Sequence, residues 1–270
     1  LYGRFAQGFK SGGFNGETNV FFDPKAPAGC PLGLTELCQP YRPEKVNSYE
    51  LGIKTKMLDN RLILNLAAFY DRHKDIQLSI FTAAGAASSV VRNAASARIQ
   101  GLEVEAIARP TESLTINASL ATLSAKYLSY FDGGADVSTN RAFPHTPKFT
   151  AGLGVDWRVM EGDWGKLNIN GDLNHVSGYF TFPYALRTPT LSDQNAYNTR
   201  SKGRTIVNVR AALSDFKLGG VKTEISAWVR NLTNEKNTSN FIDFGPGFGG
   251  LTLGYFPDPR TYGVTFGVRF

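Results

Sequence analysis

The sequence predicts an all-β protein whose strands build an antiparallel transmembrane β-barrel. Three observations carry this. Apolar and polar residues alternate with period two through nearly every ordered stretch, and helical periodicity is hard to find. Each stretch runs about ten residues, the length a tilted strand needs to cross a bilayer. The connections alternate between short turns and long loops, as in a barrel with a turn side and a loop side.

The composition agrees. The chain of 270 residues has 29 Lys and Arg against 23 Asp and Glu, a formal charge of +6, and only 19% charged residues. Aromatic residues reach 12% and Gly numbers 28. Aromatics and glycine with few charges exclude a disordered chain, a collagen and a charged coiled coil. The basicity is spread along the chain and offers no nucleic-acid surface. No run reaches the 18 or so apolar residues of a membrane-spanning helix; the stretch Leu62 to Tyr70 is broken by Asn65. Leu1 to Phe5 already reads as strand rather than as a signal peptide, so the chain reads as a piece whose beginning lies elsewhere.

Taken in order, a looser alternation at 1–9 is followed by a strand at 46–57. In 61–81, Leu62, Leu64, Leu66, Ala68 and Tyr70 share one face, while Arg61, Asn65 and Asp71 take the other. Ile76 to Phe81 reads as the same strand rising above the membrane, because a separate strand would upset the loop alternation. Strands at 97–108, 114–126 and 148–157 follow. In 166–175, Leu167, Ile169 and Leu173 oppose Lys166, Asn168, Asn170, Asp172 and Asn174. Strands at 205–213 and 222–230 precede the last, where Tyr262, Val264, Phe266, Val268 and Phe270 share a face. Short turns fall at 58–60, 109–113, 159–165 and 214–221. Long loops fall at 10–45, 82–89, 127–147, 179–203 and 231–260, which the alternation puts outside the cell.

Cost decides which face meets lipid. A row such as Asn168, Asn170, Asp172 and Asn174 is expensive in hydrocarbon, so it faces a wet lumen and the apolar row faces lipid. A soluble sandwich would show the same alternation with its apolar face inward. Strand length and loop alternation favour the barrel. Trp157 and Trp164 at one short turn, and Tyr127, Tyr130 and Phe131 at a long loop, read as interfacial girdles.

Several segments in order resemble the later barrel of TonB-dependent outer-membrane receptors. They are Gly8-Phe9-Lys10-Ser11-Gly12-Gly13-Phe14-Asn15, the stretch Pro43 to Gly52, Asn93-Ala94-Ala95 with Gly101 to Glu105, Val229 to Asn234, and the ending Pro259 to Phe270. The resemblance covers essentially the whole chain. It implies a barrel of about 22 strands around an N-terminal plug. Residues 1–270 would then be an incomplete domain supplying about the last ten strands, with no plug and no TonB-contacting segment. It further implies a monomer in the outer membrane of a Gram-negative bacterium, inserted by the barrel-assembly machinery. Its partners would be outer-membrane lipid, the TonB complex reached through the missing N-terminal part, and a small ligand such as an iron-siderophore. After Asn231-Leu232 the family often carries an aromatic residue; here Thr233-Asn234-Glu235-Lys236 follows.

Candidate functional residues are of three kinds. Cys30 and Cys38, the only cysteines, share one exposed, turn-rich loop without a histidine, which favours a disulfide over a metal site. Tyr262, Phe266, Val268 and Phe270 resemble a C-terminal assembly signal, and serve equally as a lipid-facing edge strand. Ligand contacts are expected from the long loops and upper lumen: Phe9, Lys10, Tyr41, Arg42, Tyr130, Tyr179, Phe180, Tyr184, Arg187 and Arg200, with Phe182 and Tyr197 nearby. Aromatics with arginines suit an anionic, aromatic iron chelate, a stacked sugar, or an interfacial girdle alike.

No enzyme emerges. The Gly3-to-Ser11 near-P-loop and the Gly245, Gly247, Gly250 pattern both lack a following helix, and His73, His145 and His175 are scattered. No metal or cofactor is called for. Lumen charges such as Glu103 and Glu105 read as cross-strand pairs. The function expected is import of a scarce extracellular ligand with TonB-coupled energy. The alternative is a passive porin, which needs no plug.

Overall fold

The computed structural model describes residues 1–15, 40–82, 88–132, 135–182, 185–188, 200–243 and 251–269. Ten long strands form one antiparallel wall in the order β1-β2-β3-β4-β5-β7-β8-β11-β12-β15. They are β1 (Tyr2–Lys10), β2 (Glu44–Met57), β3 (Leu62–Thr82), β4 (Ser88–Thr111), β5 (Leu114–Asp132), β7 (Phe149–Gly162), β8 (Gly165–Val176), β11 (Arg204–Leu218), β12 (Val221–Arg230) and β15 (Thr261–Arg269). Short pieces stand at the long-loop end: β6 (Ala135–Asp136), the β9–β10 pair (Tyr179–Phe180, Arg200–Ser201) and the β13–β14 pair (Asn240–Asp243, Thr252–Tyr255). Each wall strand pairs with its sequence neighbour in that path, and β1 and β15 are the edges.

The register keeps one apolar face throughout. Leu51 lies opposite Ala68, Ala68 opposite Leu102, and Leu66 opposite both Ile53 and Val104. The row continues through Val104–Leu120 and Leu153–Leu173–Val207 to Ala227–Val264. No second sheet covers this face among the described residues, and Leu51, Leu102 and Phe266 are each more than half exposed. A sandwich would bury them. The soluble alternative therefore fails, and the uncovered row is what lipid must cover.

Chemistry explains the turns. At Leu58, Asp59 and Asn60 the backbone is left-handed (φ 54°, 53° and 65°), and Arg61 N–H donates to the Leu58 carbonyl at 2.9 Å. Gly219 and Gly220 (φ 60° and 86°) close β11 to β12 without a Cβ to clash. On the polar face, aromatic rings lie flat over glycines opposite them: Tyr2 over Gly52, Phe69 over Gly101, Trp228 over Gly263. A Cβ at Gly101 would come within 2.2 Å of the Thr122 carbonyl oxygen and 2.7 Å of the Phe69 ring. That is why this position carries no side chain.

Two expectations need correcting. The first strand of the β3–β4 hairpin does rise above the membrane as expected, but its partner rises with it, because β4 begins at Ser88 rather than near 97. A bulge between His73 and Gln77, with Asp75 at φ 54°, lets pairing continue past the bilayer. There Ala94 and Ala95 are both buried, so the period-two signal disappears. The second correction concerns Tyr127 and Tyr130. Tyr127 faces the polar side by the regular alternation, opposite Ala97, and a bulge at Leu128 brings Tyr130 to the same side, opposite Ala95. They are 6% and 1% exposed, packed with Ile76, Ala94, Ala95, Ala97 and Phe143, and belong to no girdle. Phe131, in contrast, is exposed.

Candidate functional site: the polar face and the loop layer above it

The polar face is a hydrogen-bonded lattice built by the register. Asn170 Nδ2 donates to Asp156 at 2.6 Å, and Asn208 Nδ2 donates to Asp172 at 2.8 Å. Arg210 pairs with Glu224 on the neighbouring strand, and Arg230 stacks on Trp228 at 5.4 Å. All of these except Glu224 line a shallow concavity of about 500 Å³. They can hydrogen-bond a wetted occupant. Among the described residues no group of three or more His, Cys, Asp or Glu could hold a metal.

Above this lattice the loops are held by side chains that imitate strand partners. Asn93 takes both backbone groups of Arg42: it accepts from the N–H at 2.5 Å and donates to the carbonyl at 2.9 Å. Asn15 does the same to Val91, at 2.8 Å each way. Gln77, 9% exposed, donates to the carbonyls of Ser11 (2.8 Å) and Arg42 (3.1 Å). Gly13 and Tyr41 exchange both backbone bonds and close the neck of the first long loop. The loop is stapled to the raised β3–β4 hairpin.

The later long loops form a second interlocked layer, which packs on the same raised hairpin. Residues 137–147 fold over the polar face, with Phe143 stacked on Tyr127 at a centroid distance of 4.6 Å. Ala142 and His145 donate backbone bonds to the carbonyls of Ala185 and Phe180 (2.8 and 2.7 Å). Asn140 Oδ1 accepts from both N–H and O–H of Thr188. Tyr179 Oη donates to the Ser239 carbonyl at 2.6 Å, tying this layer to the last long loop. Asn231, left-handed at φ 50°, donates from Nδ2 to the carbonyls of Glu235 and Asp258 and accepts from Glu235 N–H. The Glu235 carboxylate accepts from the N–H groups of Asn237, Thr205 and Lys236, and these, Asn237 foremost, hold it below the usual carboxylate range against the opposing effect of burial. Asp136 is lowered likewise by Ser138 and Tyr130 N–H groups. So the turn that departs from the family's aromatic pattern is held by polar contacts instead.

The expected ligand contacts separate into groups. Tyr179, Phe180 and Arg200 come together on the β9–β10 pair, where Arg200 stacks on Phe180 at 5.6 Å. Arg204, not singled out from the sequence, stacks on Tyr179 at 5.7 Å. Arg187 lies beside Asn140 through a backbone bond of 2.7 Å. Lys10, Tyr41 and Arg42 sit at the far side of the wall by β1 and β2, where Arg42 pairs with Asp75. Two expectations are overturned. Tyr130 is interior to the mini-core, and Phe9 lies on the apolar face opposite Lys45, turned away from the lumen. Tyr184, Cys30, Cys38 and Phe270 lie outside the described residues; Tyr262, Phe266 and Val268 line the apolar face of the edge strand β15.

The polar-face lattice, uncovered apolar face and loop layer suit one kind of protein. The family model described as "TonB dependent receptor-like, beta-barrel" matches residues 1–232. The chain belongs to this receptor-barrel family. TonB-dependent receptor barrels stand in the outer membrane of Gram-negative bacteria, and that is where this wall lies. The pesticin receptor of Yersinia pestis is 28% identical over 277 residues, covering 100% of this chain and 34% of the receptor. The metal-pseudopaline receptor CntO of Pseudomonas aeruginosa is 31% identical over 147 residues, 54% of this chain and 20% of that protein. The crystal structure of the ferric yersiniabactin uptake receptor FyuA from Yersinia pestis superposes with a TM-score of 0.66 at 21% identity, over 97% of this chain and 33% of that one. The chain thus spans about a third or less of the length of these TonB-dependent receptors.

Proposed function

We propose that the protein carrying this chain is an active-transport receptor that binds a scarce chelated metal at the cell surface and imports it with TonB-coupled energy. The observation that carries this is the loop layer. Three long loops are locked to one another over a polar lumen face, which suits capture of a ligand more than free passage of solutes. Two relatives are named for a metal chelate or its uptake, and this supports a ligand of that class here. The β9–β10 surface offers two arginines stacked on aromatic rings, and such a surface recognises an anionic, aromatic chelate by charge and stacking together. A passive channel would leave that surface without a use.

The test is uptake of radiolabelled ferric chelates by cells expressing the full-length protein. Uptake should stop when the proton gradient is collapsed, and Arg200→Ala with Arg204→Ala should weaken binding by about tenfold or more. Uptake that survives the uncoupler would establish the porin reading instead. Residues 1–270 expressed alone should give no uptake, since unpaired strand edges cannot be satisfied in hydrocarbon.

A further inference from the structure

The outer face of the wall carries a row of cations where none is expected. Arg72, Arg98 and Lys126 lie directly opposite one another on β3, β4 and β5, and Lys45 lies opposite Lys74 one step higher on β2 and β3. All five share the outer face with Tyr49, Tyr70 and Leu102, as the unbroken register below the bulges requires. Like charges set directly opposite on a sheet repel. No carboxylate relieves them: among the described residues none of the five makes an ion pair, and the acids nearby are used elsewhere, Asp75 by Arg42 and Glu44 by His73.

Height gives the row its meaning. It sits one pleat above the aromatic row Phe5–Tyr49–Tyr70, whose centroids are 5.1 and 6.3 Å apart, and Phe9 stands exposed beside Lys45 above that row. Side chains just beyond such a girdle, on the lipid side, stand at the headgroups of the adjoining leaflet. The row is also local. At the tops of β7, β8 and β11 the outer face carries Phe149, His175 and Thr205, with no fixed cation. Strand spacing spreads Arg72, Arg98 and Lys126 over about 10 Å, wide enough for more than one phosphate.

We propose that Arg72, Arg98 and Lys126, backed by Lys45 and Lys74, form a binding site for a phosphorylated glycolipid of the outer leaflet. Bidentate guanidinium contacts to phosphate would relieve the repulsion that the bare row carries. The site is separate from ligand import and rests only on the outer-membrane location, with the long-loop end facing outward.

The test uses the full-length protein extracted in neutral detergent. Native mass spectrometry should find phosphorylated glycolipid retained on the wild type and reduced at least tenfold in the Arg72→Gln, Arg98→Gln, Lys126→Gln variant. Lys217→Gln, at the short-turn end, should retain it. Added bis-phosphorylated lipid A should raise the wild-type melting temperature by several degrees, whereas dephosphorylated lipid A or inorganic phosphate should not. Without lipid, the triple variant should melt no lower than wild type, because neutralising the row removes repulsion; a merely structural row would make it melt lower. Should the triple variant fail to accumulate, Arg98→Gln alone should lose lipid severalfold. Unchanged lipid retention in either variant, or an equal response to inorganic phosphate, would overturn the site.

Discussion

The wall and the layer above it are built by different means. In the membrane-crossing wall, backbone ladders satisfy the strands between the two edges and side chains only choose a face. In the layer above, backbone groups that have no strand partner are taken up by Asn15, Gln77, Asn93, Asn140, Asn231 and Glu235. The wall is periodic and tolerates change within each face. The layer depends on a few single side chains. Order above a membrane is thus achieved here by a few bidentate side chains beside one small apolar core, that of Ile76, Ala94, Ala95, Ala97, Tyr127 and Tyr130.

The largest expected effect breaks the wall. Arg in place of Leu66 or Ile169 puts a charge in mid-bilayer and should cost about 2–4 kcal/mol, read from urea unfolding in lipid vesicles. Arg at Asn65 or Asn170, on the polar face, should cost far less. Equal costs would remove the two-faced wall. Next in size is Gly101→Val. Its side chain would meet the Thr122 carbonyl and the Phe69 ring, so roughly 1–3 kcal/mol should be lost by overpacking, in the same assay.

Much of the wall was legible in the sequence. Ten strands, their order and their faces follow from residues such as Leu62, Leu64 and Leu66 falling on one side with Asn65 on the other. The layer was not legible, because its determinants obey no period. Asn93 and Asn231 stood in recognisable family segments, yet nothing local marked them as brackets for Arg42 and for the turn ending at Glu235. Tyr130 resembled a girdle residue because one bulge residue, Leu128, reverses the face that simple alternation assigns, while Tyr127 already alternates inward and is buried by Phe143 from a distant loop. Arg204 was passed over since its partner Tyr179 is distant in sequence, and Phe9 was misjudged because a loop-adjacent aromatic can face either way.

Smaller changes sharpen the contrast by loosening the layer while leaving the wall intact. Asn93→Ala leaves the Arg42 N–H without its acceptor, the carbonyl keeping Gln77, and should cost about 1–2 kcal/mol. Hydrogen exchange should speed up around 11–15 and 40–43 and stay unchanged in 62–70. A global loss of protection would show that layer and wall are not independent. The smallest effect is on pH. Glu235 has its carboxyl lowered in the folded state, so its support is fully present above the ordinary carboxylate value and fades as pH falls below about 4. Exchange at Thr205 and Asn237 should rise there in the wild type, while Glu235→Gln should show the faster exchange at every pH.

The central claim is that this wall spans the outer membrane with its long loops outside and its short turns in the periplasm. It is tested most directly by single cysteines in the full-length protein, at Lys236 in the last long loop and at Asp59 in a short turn, both exposed. On intact cells an impermeant thiol reagent should label the cysteine at 236 and leave the one at 59 unlabelled until the outer membrane is opened. Labelling at 59 but not at 236 would contradict the account.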